Sequence, residues 1–320
     1  MKRLLVITSA SAALGVAVWM GAQAFKDRET LDISQISSPA GPASPTAPIL
    51  SPGVAGLISR DTIPLRDRLS FLSTIGTKLP DSDRKAILDW IGNTPPPGLS
   101  PDDWFTLAND VLQALRNQQP ATPIYTDRLL ALWHDRDLDP TLRDYALQQL
   151  REWVADGDTR SMHEERPEKL ALIREAFLHA ATPGHADCDP QSTTTGTALL
   201  ALDEWTGSAA PAAVRVEPTK LDEILLSHIR DEAAHRGVRA TALQIAARRK
   251  MNAALPLARE LSQDASQEAI LRLAAISLLG TMGTEEDRKL LQTLGGSSQL
   301  DPLILGAVAS ALRQGESSRQ

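Results

Sequence analysis

His179, His185, Asp187, Cys188 and Asp189 form the densest group of metal-ligand residue types in the chain. Two imidazoles, a thiolate and a carboxylate are a donor set suited to zinc or copper. Their spacing matches no closed zinc motif, and Pro183-Gly184 marks the stretch as a loop. The plainer expectation is therefore a solvated connector that carries one incidental thiol. Outside the cytoplasm an exposed Cys188 could also pair with a second chain.

Other chemical motifs are incomplete. There is no glycine-rich phosphate loop and no G-x-S-x-G elbow. His163-Glu164-Glu165-Arg166-Pro167 begins like a zincin helix, but Pro167 stands where the second histidine belongs. His134-Asp135-Arg136-Asp137-Leu138-Asp139-Pro140 alternates three acids as calcium loops do. Pro140 replaces the required glycine, however, and Ala146 the bidentate glutamate. It reads as an interhelical turn whose last acid caps the next helix. His228 and His235 lie seven apart and could share one helix face, but Gly237 and the acidic neighbours point to a helix end, with capping or surface roles for both rather than ligation. Arg248-Arg249-Lys250, the one compact basic run, suits a helix C-terminus, where cations oppose the dipole. No catalytic, cofactor-binding or metal-binding residue is assigned on this pattern, and no cofactor is called for.

The elements that must hold these residues are helical. The chain has 320 residues, of which 42% are hydrophobic and only 4% aromatic, with Ala and Leu far outnumbering Val, Ile and Tyr. That composition favours helix over sheet. A single cysteine excludes an internal disulfide, an Fe–S cluster and any multi-thiolate zinc site. A net charge of −7 removes the usual electrostatic basis for binding nucleic acid.

Lys2 and Arg3 precede an uncharged run from Leu4 to Phe25, closed by Lys26, Asp27 and Arg28. As a helix this run would reach about 33 Å, enough to cross a bilayer core. Its length favours a retained anchor with the basic pair on the cytoplasmic side, whereas Ala22-Gln23-Ala24 favours cleavage after Ala24. Residues 1–25 are accordingly expected to be a signal peptide or transmembrane anchor. Residues 26–56 are expected to be a disordered linker. Pro39, Pro42, Pro45, Pro48 and Pro52 deny its proline-rich part a helix or a central strand.

From Leu57 onward the apolar spacing is helical. Leu65, Leu69 and Leu72 lie on one stripe, and Ile87, Leu88 and Ile91 follow an Asp81 cap. Ser100-Pro101-Asp102-Asp103 opens a helix whose buried face is Trp104, Leu107, Ala108, Val111, Leu112 and Leu115. Further helices are expected to begin near Thr126, Pro140, Pro167, Ser192, Pro218, Ala234, Ala253, Ser266, Glu285 and Asp301. Val214-Arg215-Val216 alone suggests a strand, or a short extended connector.

One frame recurs: Arg143-x-x-Ala146-Leu147-x-x-Leu150, Thr195-x-x-Ala198-Leu199-x-x-Leu202, Arg239-x-x-Ala242-Leu243-x-x-Ala246 and Arg272-x-x-Ala275-Ile276-x-x-Leu279. A looser copy is Leu305-x-x-Val308-Ala309-x-x-Leu312. A small residue with a large one four later shares a helix face and admits a neighbour closely. An acid precedes each copy (Asp139, Asp189, Glu232, Asp264, Asp301) and is expected to cap its helix, while the arginine is expected to pair with carboxylates along the repeat edge. Units of this size are helical hairpins that bury their faces only by stacking.

The segments Asp139–Leu147, Gly237–Leu243 and Ile270–Gly280 resemble the second helix of HEAT-type repeats. The resemblance spans about Thr126 to Arg313, with departures at Thr195 and in the insertion before it. It implies a right-handed α-solenoid used as a scaffold or binding surface. The fold expected is thus all-α, a HEAT-like solenoid or irregular helical array. It comprises an N-terminal helical region over 57–125 and repeats over 126–316. The function expected is a non-enzymatic scaffold of the cell envelope, membrane-anchored or secreted, that binds another protein and no nucleic acid. The alternative is a metal-dependent or redox-active protein using the His179–Asp189 loop.

Overall fold

In the computed structural model the described residues are 50–93, 95–119, 124–156, 167–189, 192–297 and 301–317. They form fourteen α-helices and no strand. In order these are α1 (Pro52–Leu57), α2 (Leu65–Thr74), α3 (Asp81–Ile91), α4 (Pro101–Arg116), α5 (Tyr125–His134), α6 (Pro140–Ala155) and α7 (Pro167–Ala181). Then come α8 (Thr193–Glu204), α9 (Pro218–Arg230), α10 (Arg236–Arg248), α11 (Leu255–Gln263), α12 (Ala269–Met282), α13 (Glu285–Gly295) and α14 (Pro302–Ser317). All belong to one unit, Ile49–Gln320.

The helices start where local chemistry permits. Ser100 accepts the Asp103 amide at 3.2 Å and Pro101 occupies the first turn, where no amide partner is needed. Asp139 accepts the Thr141 amide at 2.8 Å ahead of Pro140, so the acid-rich 134–140 stretch is the capped turn expected. Thr284 and Asp287 form a reciprocal capping box. Asp81 is not a cap: it lies inside the first turn of α3 and pairs with Arg84 at 2.7 Å. The expected linker also ends early. Pro52 sits at the start of α1, a position that tolerates proline, and the residues behind it are free of further proline. Val214-Arg215-Val216 is a connector, held by the Val216 amide on the Trp205 carbonyl at 3.2 Å.

Consecutive helices pair as seven hairpins, α1/α2 through α13/α14, and the even-numbered helices pack in one row from α2 to α14. This is a solenoid-like array. It includes two hairpins ahead of residue 126, where Phe71 stands at the small-residue position of the frame and Phe105 at its arginine position. Among the described residues no helix is long and apolar enough to cross a membrane. The 1–25 segment expected to be a signal or anchor lies outside the described residues, as does His163-Glu164-Glu165-Arg166.

The frame residues Ala146, Leu150, Ala198, Leu202, Ala242, Ala246, Ala275 and Leu279 are buried in the row. Among the described residues the frame arginines meet backbone carbonyls rather than carboxylates. Arg143, Arg239 and Arg272 donate to the carbonyls of Trp133, Ile229 and Ser262, at 2.9, 3.2 and 3.4 Å. Each closes the C-terminal end of the preceding helix, whose last carbonyls have no partner inside the helix. The connectors beneath them share one turn. Asp135, Asp231 and Asp264 accept the amide two residues on, at 3.0, 3.0 and 2.8 Å. Asp139 thus caps its helix as expected, and Asp301 accepts the Leu303 amide at 2.7 Å, while the interhelical turns are formed by Asp135, Asp231 and Asp264 and not by Glu232. Arg249 pairs with Asp203 at 3.4 Å and Asp222 at 2.8 Å, so the basic run is a helix end anchored to neighbouring helices.

Two predictions arise from this packing. A Cβ on Gly280 of α12 would lie 2.5 Å from the Ala311 Cβ and 2.6 Å from its Cα on α14. Gly280→Ala is expected to push these helices apart at a cost of about 1–3 kcal/mol. Denaturant unfolding no weaker than wild type would contradict so close an approach. Asp144 of α6 is buried against α8, and burial raises its pKa while hydrogen bonds from Thr197, Thr193 and Gln148 offset only part of the rise. A raised folded pKa contributes stability that is full below the ordinary carboxylate value and is lost as pH rises through the folded value. Asp144→Asn is therefore expected to flatten the pH dependence of unfolding between acid and neutral pH, gaining on wild type toward neutrality. Parallel stability curves for the two proteins would rule this out.

Candidate metal centre

The fourth hairpin departs from the others at its connector. Those of the third, fifth and sixth hairpins have five residues, whereas residues 182–192 insert eleven between α7 and α8. Thr195 replaces the frame arginine and donates to the Ala180 carbonyl at 3.1 Å and the Asp189 carbonyl at 3.0 Å. A second tie comes from buried His228 of α9, whose Nε2 donates to the Ala181 carbonyl at 2.7 Å. Burial lowers the His228 pKa, in keeping with a neutral ring. The last turn of α7, which carries His179, is fixed from two sides.

The connector then folds back over that turn. The His185 amide reaches the Thr182 carbonyl and the Cys188 amide the His185 carbonyl, at 3.1 and 3.0 Å. Gly184, with φ +80°, supplies the left-handed residue needed between them. His185 consequently stacks on His179, with ring centroids 3.9 Å apart and planes 14° from parallel. Asp187 closes the group: its Oδ2 lies 3.9 Å from His179 Nδ1 and 3.8 Å from His185 Nδ1. Ligand atoms of all three residues lie within 4.8 Å of one another.

Arg136, from the connector of the third hairpin, donates to Asp187 Oδ1 at 2.7 Å. Burial pushes the Asp187 carboxyl up, but the Arg136 hydrogen bond and charge, with His185 and His134, outweigh it and hold the group below the ordinary value. Asp187 is thus an anion, the form a metal requires. Its side chain is 13% exposed, against 40% for His179 and 34% for His185. The carboxylate is therefore the fixed member and the imidazoles open to solvent. The Asp187 amide donates to His185 Nδ1 at 3.1 Å, so this nitrogen becomes a ligand only when that bond opens.

Of the five candidates named from sequence, the fold brings three together. Cys188 is half-buried and turns to Thr195, with Sγ and Oγ1 3.9 Å apart, and burial raises its pKa. It is a protonated structural thiol, without the electropositive setting of a reactive one. Asp189 gives its backbone carbonyl to Thr195 and belongs to the connector. Arg136 was missed because fifty-one positions separate it from Asp187. The repeat carries a signal for Asp187 itself, though none for Arg136. Asp187 precedes Thr195 by eight, the interval that separates Asp135, Asp231 and Asp264 from their arginines. His235 serves as a helix cap, its Nδ1 accepting the Gly237 amide at 3.1 Å.

No protein-family model and no curated protein matches the chain. A solved structure to which it is similar is that of human deoxyhypusine hydroxylase in complex with glycerol, at 16% identity and a TM-score of 0.31. The match covers 83% of this chain and 95% of that one. The expectation of a non-enzymatic chain is corrected: His179, His185 and Asp187 converge as a group able to hold a metal ion.

Proposed function

We propose that the protein is metal-dependent, holding a divalent transition-metal ion through His179, His185 and Asp187 on a HEAT-like helical scaffold. The observation that carries this is the convergence of two imidazoles and one ionised carboxylate within 4.8 Å at the lengthened connector. Ligand bonds near 2.0–2.2 Å require the three atoms to close to roughly 3–3.5 Å, a contraction that rotation of two half-exposed rings provides. Three protein ligands leave at least one coordination position for water or substrate. Such an ion supplies Lewis-acid activation of a bound oxygen or lowers the pKa of bound water. The half-buried, protonated Cys188 thiol argues against a thiol-redox version of this activity.

The test is a Co2+ titration of the full-length, chelator-treated protein, followed by visible absorption. The expected result is saturation at about one ion per chain, with ligand-field bands and no thiolate charge-transfer band. A featureless titration refutes the centre, and a thiolate band assigns the ligand to Cys188 instead.

An extracytoplasmic location belongs to the same proposal, supported by Lys2-Arg3 and the uncharged run from Leu4 to Phe25. Intact-mass analysis of the membrane and extracytoplasmic fractions is expected to find either the whole 1–25 segment retained in the membrane or a released chain beginning at Phe25. Whole-length protein confined to the soluble cytoplasmic fraction contradicts it.

A further inference from the structure

Arg136 and Asp187 join two connectors that belong to different hairpins. Arg236 and Glu268 make a comparable pair at 2.6 Å further along the array, beside His235 alone and outside any group of three converging metal-ligand residues among the described residues. What sets the Arg136 pair apart is the division of labour on the carboxylate. Oδ1 takes the guanidinium at 2.7 Å, and Oδ2 is the oxygen that faces both imidazole Nδ1 atoms. A metal-ligating carboxylate is commonly held in this way, through its second oxygen, by a hydrogen-bond donor outside the ligand shell.

We infer that Arg136 is the positioning residue of the metal centre, fixing Asp187 so that Oδ2 stays directed at His179 and His185. This rests on the metal reading. The opposing possibility is that the guanidinium competes with the ion for Asp187. Geometry decides against it, because the guanidinium occupies the oxygen that the ion does not need. With Arg136 59% exposed, its repulsion of a nearby cation is strongly screened by water. The side chain also brings the third hairpin into the centre, so the ion would be held across the junction of two repeats.

The experiment compares Co2+ affinity in full-length wild type, Arg136→Ala and Arg236→Ala, each with its metal-free thermal unfolding. Loss of a positioning contact is expected to weaken binding about 10–100-fold in Arg136→Ala. Arg236→Ala should bind as wild type while losing similar stability. Low, non-denaturing guanidinium should restore affinity to Arg136→Ala by refilling the vacated place, which a generally loosened fold cannot show. Unchanged or tighter binding in Arg136→Ala, an equal loss in Arg236→Ala, or absence of rescue overturns the inference and leaves the centre standing. A wild-type chain that takes up no Co2+ overturns both.

Discussion

His185→Ala is expected to abolish stoichiometric metal binding while leaving the helical array folded. A structural zinc site of four ligands is worth about 10–16 kcal/mol, or roughly 3 kcal/mol per ligand. Removing one of three protein ligands therefore weakens affinity by about 100-fold or more. His179→Ala and Asp187→Ala should fall in the same range, because each supplies one atom of the same group. Cys188→Ser is the informative control: its sulfur faces Thr195, so metal content should not change. The accompanying readout is thermal stability. Wild type should gain about 2.7 kcal/mol at a hundredfold excess of metal over its Kd, and the ligand variants, about 100-fold weaker, no more than about 0.4 kcal/mol at the same concentration. Elemental analysis showing equal metal in wild type and His185→Ala would place the ion elsewhere.

Arg68→Met should give the largest loss of stability outside the centre. The Arg68 side chain is fully buried and donates to the Leu57, Ser59 and Asp61 carbonyls, at 2.5, 2.8 and 2.9 Å. It does for the first hairpin what Arg143, Arg239 and Arg272 do for theirs. A hydrogen bond from a charged donor contributes about 1.5–3 kcal/mol, and a buried carbonyl left unsatisfied costs about 1–3 kcal/mol. With partial relaxation the expected loss is about 3–5 kcal/mol. Repeat arrays are stabilised mainly between neighbours, so the effect should concentrate in α1 and α2. Hydrogen exchange is expected to accelerate there first, while α12 and α14 stay protected. Uniform protection equal to wild type would show that Arg68 closes nothing essential.

Much of the architecture was legible because it rests on local rules. Helix starts at Pro101, Pro140, Pro167, Pro218 and Glu285 follow from caps and proline placement, and the Ala146, Ala198, Ala242 and Ala275 faces from periodicity. The role of the frame arginine was not legible. The residue type announces a cation but not its acceptor, and the acceptor is a carbonyl ten positions earlier that only the hairpin brings near. The centre was half legible for a related reason. Composition drew attention to residues 179–189, but neighbouring positions in a loop need not point the same way. Cys188 turns inward to Thr195, while His179 and His185, six apart, stack only because two turns and Gly184 reverse the chain. Arg136 belongs to another hairpin, and no local pattern connects it to Asp187.

The most direct test is anomalous diffraction at the zinc absorption edge from crystals of the protein grown with Zn2+. The account predicts one strong peak bounded by a nitrogen each of His179 and His185 and by Oδ2 of Asp187, with Arg136 still on Oδ1. A structure with no peak at this place, and with the His179–His185 stack and the Asp187–His185 hydrogen bond intact in the presence of Zn2+, would contradict it.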